Sequence, residues 1–152
     1  MSSPRGFRYG LQPVLLTRRW LYERLQRDLG DVNRVLRQHE EVLRRVQREC
    51  DAACAEWVAL THAEYRPDEF LRHHGFIARL REEEGRCHDL LRDTRQRRDA
   101  IIDELVGVRR ALEGIERHRM QMQSEFLREL MNQEYKQVDD NWNARKVQRG
   151  MP

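Results

Sequence analysis

Stepping alternately by four and three residues from Leu11, the chain lands on Leu15, Arg18, Tyr22, Leu25, Leu29, Val32, Leu36, His39, Leu43, Val46, Cys50, Ala53, Trp57 and Leu60. Thirteen of these fifteen positions are apolar, the exceptions being Arg18 and His39. A 3.5-residue hydrophobic repeat sustained over about seven heptads is the signature of a left-handed coiled-coil seam. No proline interrupts the chain between Pro13 and Pro67. Gly30 falls off the seam, where a helix tolerates it at a cost of roughly 1 kcal/mol relative to Ala. The first expected element is therefore one long helix over about residues 11–63.

A second series begins at Ile77 and continues through Leu80, Glu84, Cys87, Leu91, Thr94, Arg98, Ile101, Leu105, Val108, Leu112, Ile115, Arg119, Met122 and Phe126. It keeps the same repeat with more polar members. Beyond Phe126 the pattern drifts to Leu127, Leu130, Met131, Val138 and Trp142, and the helix is expected to run to about residue 145. Pro67 disfavours a helical Arg66 but suits a first helical position, and Asp68 and Glu69 complement a helix N-terminus. A turn over residues 64–68 followed by a helix over about 69–145 is the expectation. So short a turn forces the two helices antiparallel.

The predicted fold is thus all-α: one elongated, left-handed antiparallel two-helix coiled-coil hairpin spanning residues 1–152, with short flexible ends. A turn centred at 68–69 pairs residues whose numbers sum to about 137. That register sets Trp57 opposite Leu80, Leu11 opposite Phe126 and Cys50 opposite Cys87. It also sets Arg18 against Arg119 and His39 against Arg98, and polar layers that meet each other fix register. At ~1.5 Å per residue the first helix is about 75 Å long, and the second overhangs it by about 25–30 Å.

Composition agrees with a thin seam rather than a thick core. Ala, Glu, Lys, Leu and Arg make up nearly half the chain, while 39% of residues are apolar and 36% charged. No uncharged apolar run is long enough to span a membrane, and the N-terminus carries no hydrophobic signal segment. The expected compartment is the cytoplasm. Net charge is only +3, but residues 1–27 hold six arginines against Glu23 alone. No groove-reading motif accompanies them and acids interleave the rest, so nucleic acid is not an expected partner.

Candidate chemistry is sparse. The sequence has no phosphate-binding Gly-Lys loop, no GxSxG, HExxH or GxGxxG motif and no EF-hand loop. His73 and His74 with Cys87 match no standard metal spacing and read as solvated residues near a turn. Cys50, Cys54 and Cys87 contain no CxxC pair; a Cys50–Cys87 disulfide is conceivable in the expected register, but a small-residue core layer of reduced thiols fits better. A two-helix rod supplies no water-excluding pocket, so an enzyme is not expected.

Three regions remain once the seam is assigned. The terminal end collects Phe7, Tyr9, Arg18, Arg19, Arg24 and Arg27 with Arg128, Lys136, Trp142, Arg145 and Lys146, which suits insertion into an acidic protein opening or a simple solvated end. The turn end collects Tyr65, Phe70, His73 and Phe76, which suits docking or local capping. The polar seam positions either specify register or allow bending. A homodimeric scaffold coiled coil and an export chaperone or holdase with an aromatic client surface both remain open as alternatives.

Phe7-x-Tyr9-x-Leu11, followed by Pro13-Val14-Leu15 and Arg18-Arg19, opens the long first helix. This phrase, at the head of a hairpin of this length, resembles the FliJ/YscO family, the central stalk proteins of flagellar and injectisome type III secretion. The arginine-rich character looks most like the injectisome branch. The resemblance implies a stalk similar to the rotor of F1-type ATPases, its terminal helices entering the pore of a hexameric secretion ATPase. The far tip would reach an export gate protein at the cytoplasmic face of the inner membrane, and some members also bind export chaperones. Carried over by position, Arg18, Arg19, Arg24, Arg128 and Arg145 are the ATPase-facing candidates. Tyr65, Phe70, Phe76 and Leu80 are the candidates for the gate or chaperones. The resemblance implies a monomer with no catalytic residue, cofactor or metal, hydrolysis belonging to the partner.

Overall fold

A computed structural model describes residues 6–62 and 66–150, apart from the side chain of Arg149. It consists of two helices, α1 (Gln12–Thr61) and α2 (Pro67–Arg149). Among the described residues there is no strand. The two helices form the expected all-α hairpin.

Local chemistry sets the helix ends. The Gln12 amide donates to the Tyr9 carbonyl (3.1 Å) and the Leu15 amide to that of Leu11 (3.0 Å), which starts α1 with Pro13 inside its first turn. α2 begins two residues before the expected position, because Pro67 takes the first helical place, where its missing N–H costs nothing. The carbonyl of Arg66 accepts from the amides of Glu69 (3.0 Å) and Phe70 (3.3 Å), and Asp68 and Glu69 lie at the positive end of the helix. At the other end α2 outruns the expected stop at 145, and the Gly150 amide donates to the carbonyls of Lys146 and Val147. Residues 63–65, which include part of the expected turn, lie outside the described residues.

The core is the seam. Buried apolar side chains are Leu15, Leu25, Val32, Leu36, Val46, Cys50 and Ala53 on α1, and Leu80, Cys87, Leu91, Val108 and Leu112 on α2. All twelve fall on the two heptad series, so the periodicity alone locates the core. Among the described residues no polar or charged side chain is buried.

By its contacts the chain divides into two compact units, Glu23–Val106 and Met1–Tyr22 with Gly107–Pro152. Within Glu23–Val106, Arg95 meets Glu40 (3.5 Å), Gln47 donates to Glu84 (3.0 Å) and the Trp57 ring lies 4.3 Å from that of Phe70. As the residue number on α1 rises from 40 to 57, that of its partner on α2 falls from 95 to 70, so the helices run antiparallel. Within the other unit, Phe7 packs on Phe126 (5.6 Å between rings) and Arg19 pairs with Glu116 (2.7 Å).

The register differs from the expected sum of 137. These pairs sum to between 127 and 135, close to a one-heptad slip. The connection from Thr61 to Pro67 has its midpoint at 64, whereas a pairing centred at 68–69 lies past the middle of the turn expected at 64–68. Cys50 therefore clusters with Ala53 and Leu80, against Cys54 and Ile77, and not with Cys87; all three cysteines are free thiols. The expected polar layers dissolve as well. Arg119 lines a cleft with Phe7, Tyr9 and Gln12, while Arg98 bonds its neighbour Asp99 (2.8 and 3.0 Å) and Glu40 engages Arg95.

Candidate partner-binding surfaces

In the unit formed by Met1–Tyr22 and Gly107–Pro152, the N-terminal segment is laid along α2 by its aromatic residues. Phe7 packs on Phe126, and the Tyr9 hydroxyl donates to the Ile115 carbonyl (3.2 Å) and lies 2.9 Å from Nδ1 of His118. Gly6 adopts φ +92°, a left-handed conformation that glycine reaches without strain, with the Phe126 ring beside it. The aromatic-x-aromatic-x-Leu phrase thus serves the fold directly, by anchoring the start of the chain.

The same unit carries most of the predicted arginines. Arg18, Arg19, Arg128 and Arg145 are exposed, Arg19 pairing with Glu116 across the helices. Arg24 belongs to Glu23–Val106, where it is exposed and lies 3.9 Å from Asp28 one turn on. An exposed pair of this kind contributes about 0.2–1 kcal/mol. These side chains are therefore available to a partner at small cost to the fold.

Within Glu23–Val106, where α1 ends and α2 begins, Trp57 is the organising residue. Its ring contacts Phe70 (4.3 Å) and His74 (6.4 Å), and with Cys54, Ile77, Ala78, Arg81 and Glu82 it lines an open groove of about 560 Å³. Phe70 is half-buried in this aromatic group, whereas Phe76 is 44% exposed and faces a shallow cleft with Glu56, Arg72 and His73. Leu80 is 4% exposed and belongs to the hydrophobic cluster with Cys50 and Ala53, so it is a packing residue and offers no surface to a partner. Tyr65 lies outside the described residues. Burial pushes the Cys50 thiol above its ordinary value near 9, with the neighbouring Cys54 adding to the effect and Arg81 opposing it.

One surface was only partly legible in the sequence. Continuing the α2 seam beyond Phe126 in the same steps gives Glu129, Gln133, Lys136 and Asp140, all polar. The apolar residues instead recur at Leu127, Met131, Tyr135, Val138 and Trp142, about two positions out of phase and so roughly 200° around the helix. All five are exposed, between 43% and 66%. What reads along the chain as a drifting seam is a separate apolar stripe on a different face. The clue was the phase change itself.

Among the described residues no group of three or more His, Cys, Asp or Glu side chains could hold a metal ion, and no helix is long and apolar enough to cross a membrane. The exposed side chains that stand out are the arginines, Phe76 and the apolar stripe.

Comparison with known proteins yields one family. The model of the family described as flagellar FliJ protein matches residues 7–151, from the N-terminal aromatic anchor to the end of α2. No curated protein and no solved structure matches the chain. With all but a few terminal residues covered, the chain belongs to the flagellar FliJ protein family, whose members are associated with flagellar and type III export.

Proposed function

We propose that this protein is the central stalk of a type III secretion ATPase complex. Its terminal end occupies the pore of the hexameric ATPase and its tip meets the membrane export gate, at the cytoplasmic face of the inner membrane. The observation that carries this reading is the terminal end itself. There an aromatic anchor holds the N-terminal segment against α2, and Arg18, Arg19, Arg128 and Arg145 are exposed in the same unit. Family membership over residues 7–151 supports it.

The mechanism follows from symmetry and charge. Two helices cannot match six equivalent subunits, so a stalk of this kind contacts them unequally. Arginines that favour one subunit conformation over another shift the population of ring states. Each exposed charge contact is worth about 0.2–1 kcal/mol, a strength that lets contacts form and release as the ring turns over. The stalk performs no chemistry; hydrolysis belongs to the ATPase.

At the tip, Phe76 with the partly exposed Phe70 and Trp57 forms the face proposed for the export gate or for export chaperones, with Tyr65 the adjacent sequence candidate. Leu80 is left out of that face because it is buried.

Native co-purification from the host with mass spectrometry of the bound chains tests the reading directly. A hexameric secretion ATPase is expected in the eluate. Recovery of this chain alone would move the assignment to a structural coiled coil.

A further inference from the structure

Two thiols whose chemistry the stalk role leaves unused stand together near the end of α1. Cys50 and Cys54 are one helical turn apart, so both side chains leave the same face of the helix. Cys50 is buried with Ala53 and Leu80, and Cys54 packs against that cluster. The two thiols are within hydrogen-bonding reach of each other, and the guanidinium of Arg81 on α2 donates to Cys50.

Access differs between the two sulfurs. Cys50 is 9% exposed, whereas Cys54 is half-buried and lines the open groove of about 560 Å³ beside Trp57 and Ile77. The groove is an entry path that ends at one sulfur, with a second, shielded sulfur behind it. Thiolates are soft donors and select soft cations. The number of donors narrows the choice further. Although His74 lines the same groove, among the described residues no group of three or more His, Cys, Asp or Glu side chains could hold a metal ion. The four-donor set of a structural zinc site and the oxygen-rich sets of calcium or magnesium are therefore not assembled here. Two thiolates alone suit a cation content with two soft ligands.

We propose that Cys50 and Cys54 form a two-thiolate site for a single copper(I) ion. Binding exchanges two thiol protons for one cation and leaves the metal's oxidation state unchanged: copper(I) and two S–H groups give a bis-thiolate complex with one net negative charge and two released protons. Arg81, already against Cys50, supplies the matching positive charge, which a shielded site needs because an uncompensated charge there is costly. Glu84, the acid that also acts on Cys50, accepts from Gln47 (3.0 Å) and lies 3.7 Å from His88. The occupied site bridges one turn of α1, so it stiffens this end of the helix without cross-linking α1 to α2.

The site is independent of the stalk reading, and its test contains no ATPase. The full chain, reduced and kept free of oxygen, is titrated with copper(I) against a chromogenic copper(I) chelator. One ion per chain is expected, with the thermal midpoint raised and the sedimentation mass unchanged by the metal. Cys54→Ala alters a half-buried position, so helicity by circular dichroism should persist while affinity falls about a hundredfold or more. Cys50→Ala should lose affinity to the same extent, and Cys87→Ala, elsewhere on the seam, should leave it unchanged. Binding no tighter than that of Cys50→Ala/Cys54→Ala overturns the proposal. So does binding that Cys87→Ala removes, or a mass that doubles when copper(I) is added, which would place thiols of two chains on one ion.

Discussion

At the scale of single residues, burial separates side chains of identical chemistry. Cys50 and Cys87 are buried and Cys54 is half-buried beside the Trp57 groove. Alkylation of the native protein, followed by mass spectrometry, should label Cys54 first, with Cys50 and Cys87 modified at a similar rate only after unfolding. Cys50 also makes a pH prediction whose sign is fixed. Its folded thiol holds the proton more tightly than the unfolded chain does, because burial disfavours the thiolate. The stability it contributes is fully present below the ordinary thiol value near 9 and is lost as pH rises from there through the folded value. Melting temperature against pH should therefore fall more steeply above pH 9 in the native protein than in Cys50→Ala. The same contrast governs leucines. Leu15 is fully buried, and its replacement by Ala should cost about 2–3 kcal/mol by denaturant unfolding. Leu71 is 67% exposed, and Leu71→Ala should stay within about 0.5 kcal/mol of the parent.

At the scale of the helices, the glycines are the visible concession. Gly30 in α1 and Gly85 and Gly114 in α2 are exposed, helical and have open space where a Cβ would stand. Alanine at each should stabilise by about 0.5–1 kcal/mol by removing conformational freedom from the unfolded chain, a gain that thermal unfolding of the triple variant would register as a higher midpoint. The helices were legible in the sequence because one physical rule, the heptad period, decides both where they run and which side chains they bury. Register was not legible in the same way. It depends on where the connection is centred, and a pairing centred at 68–69, past the middle of the turn expected at 64–68, lies almost a heptad from the observed one. Leu80, named as a surface candidate although it stands on the expected seam, packs in the core beside Cys50, and the displacement took Arg119 from a layer with Arg18 to the cleft beside Phe7. Facing polar layers did not set the register, for an identifiable reason. On so narrow a seam, arginines find solvent or a neighbouring acid, as Arg98 does with Asp99, and no polar layer has to meet another.

At the scale of the whole molecule, the proposed stalk role rests on surfaces, and the arginines at the terminal end provide its most direct test. Arg18, Arg19 and Arg24 are exposed, and the ion pairs of Arg19 and Arg24 connect partners that are themselves about half exposed, so little folding stability depends on them. In an acid-lined pore the same three groups would each contribute about 0.2–1 kcal/mol, and reversing their sign replaces attraction with repulsion. The triple variant Arg18→Glu/Arg19→Glu/Arg24→Glu should therefore bind the ATPase about tenfold or more weakly and lose stimulation of ATP hydrolysis, while circular dichroism reports unchanged helical content. Raised salt should reproduce part of the loss with the native chain, because contacts between exposed charges are screened. Phe76→Ala, near the connection between the helices, should leave ATPase stimulation intact and reduce export, since it alters only the face assigned to the gate. If the triple variant, still helical, stimulates hydrolysis as well as the native chain does, the pore contact belongs to other groups. The apolar stripe from Leu127 to Trp142 would then be the next surface to alter, with glutamate at the exposed Val138 and Trp142 and the same assay of ATPase stimulation.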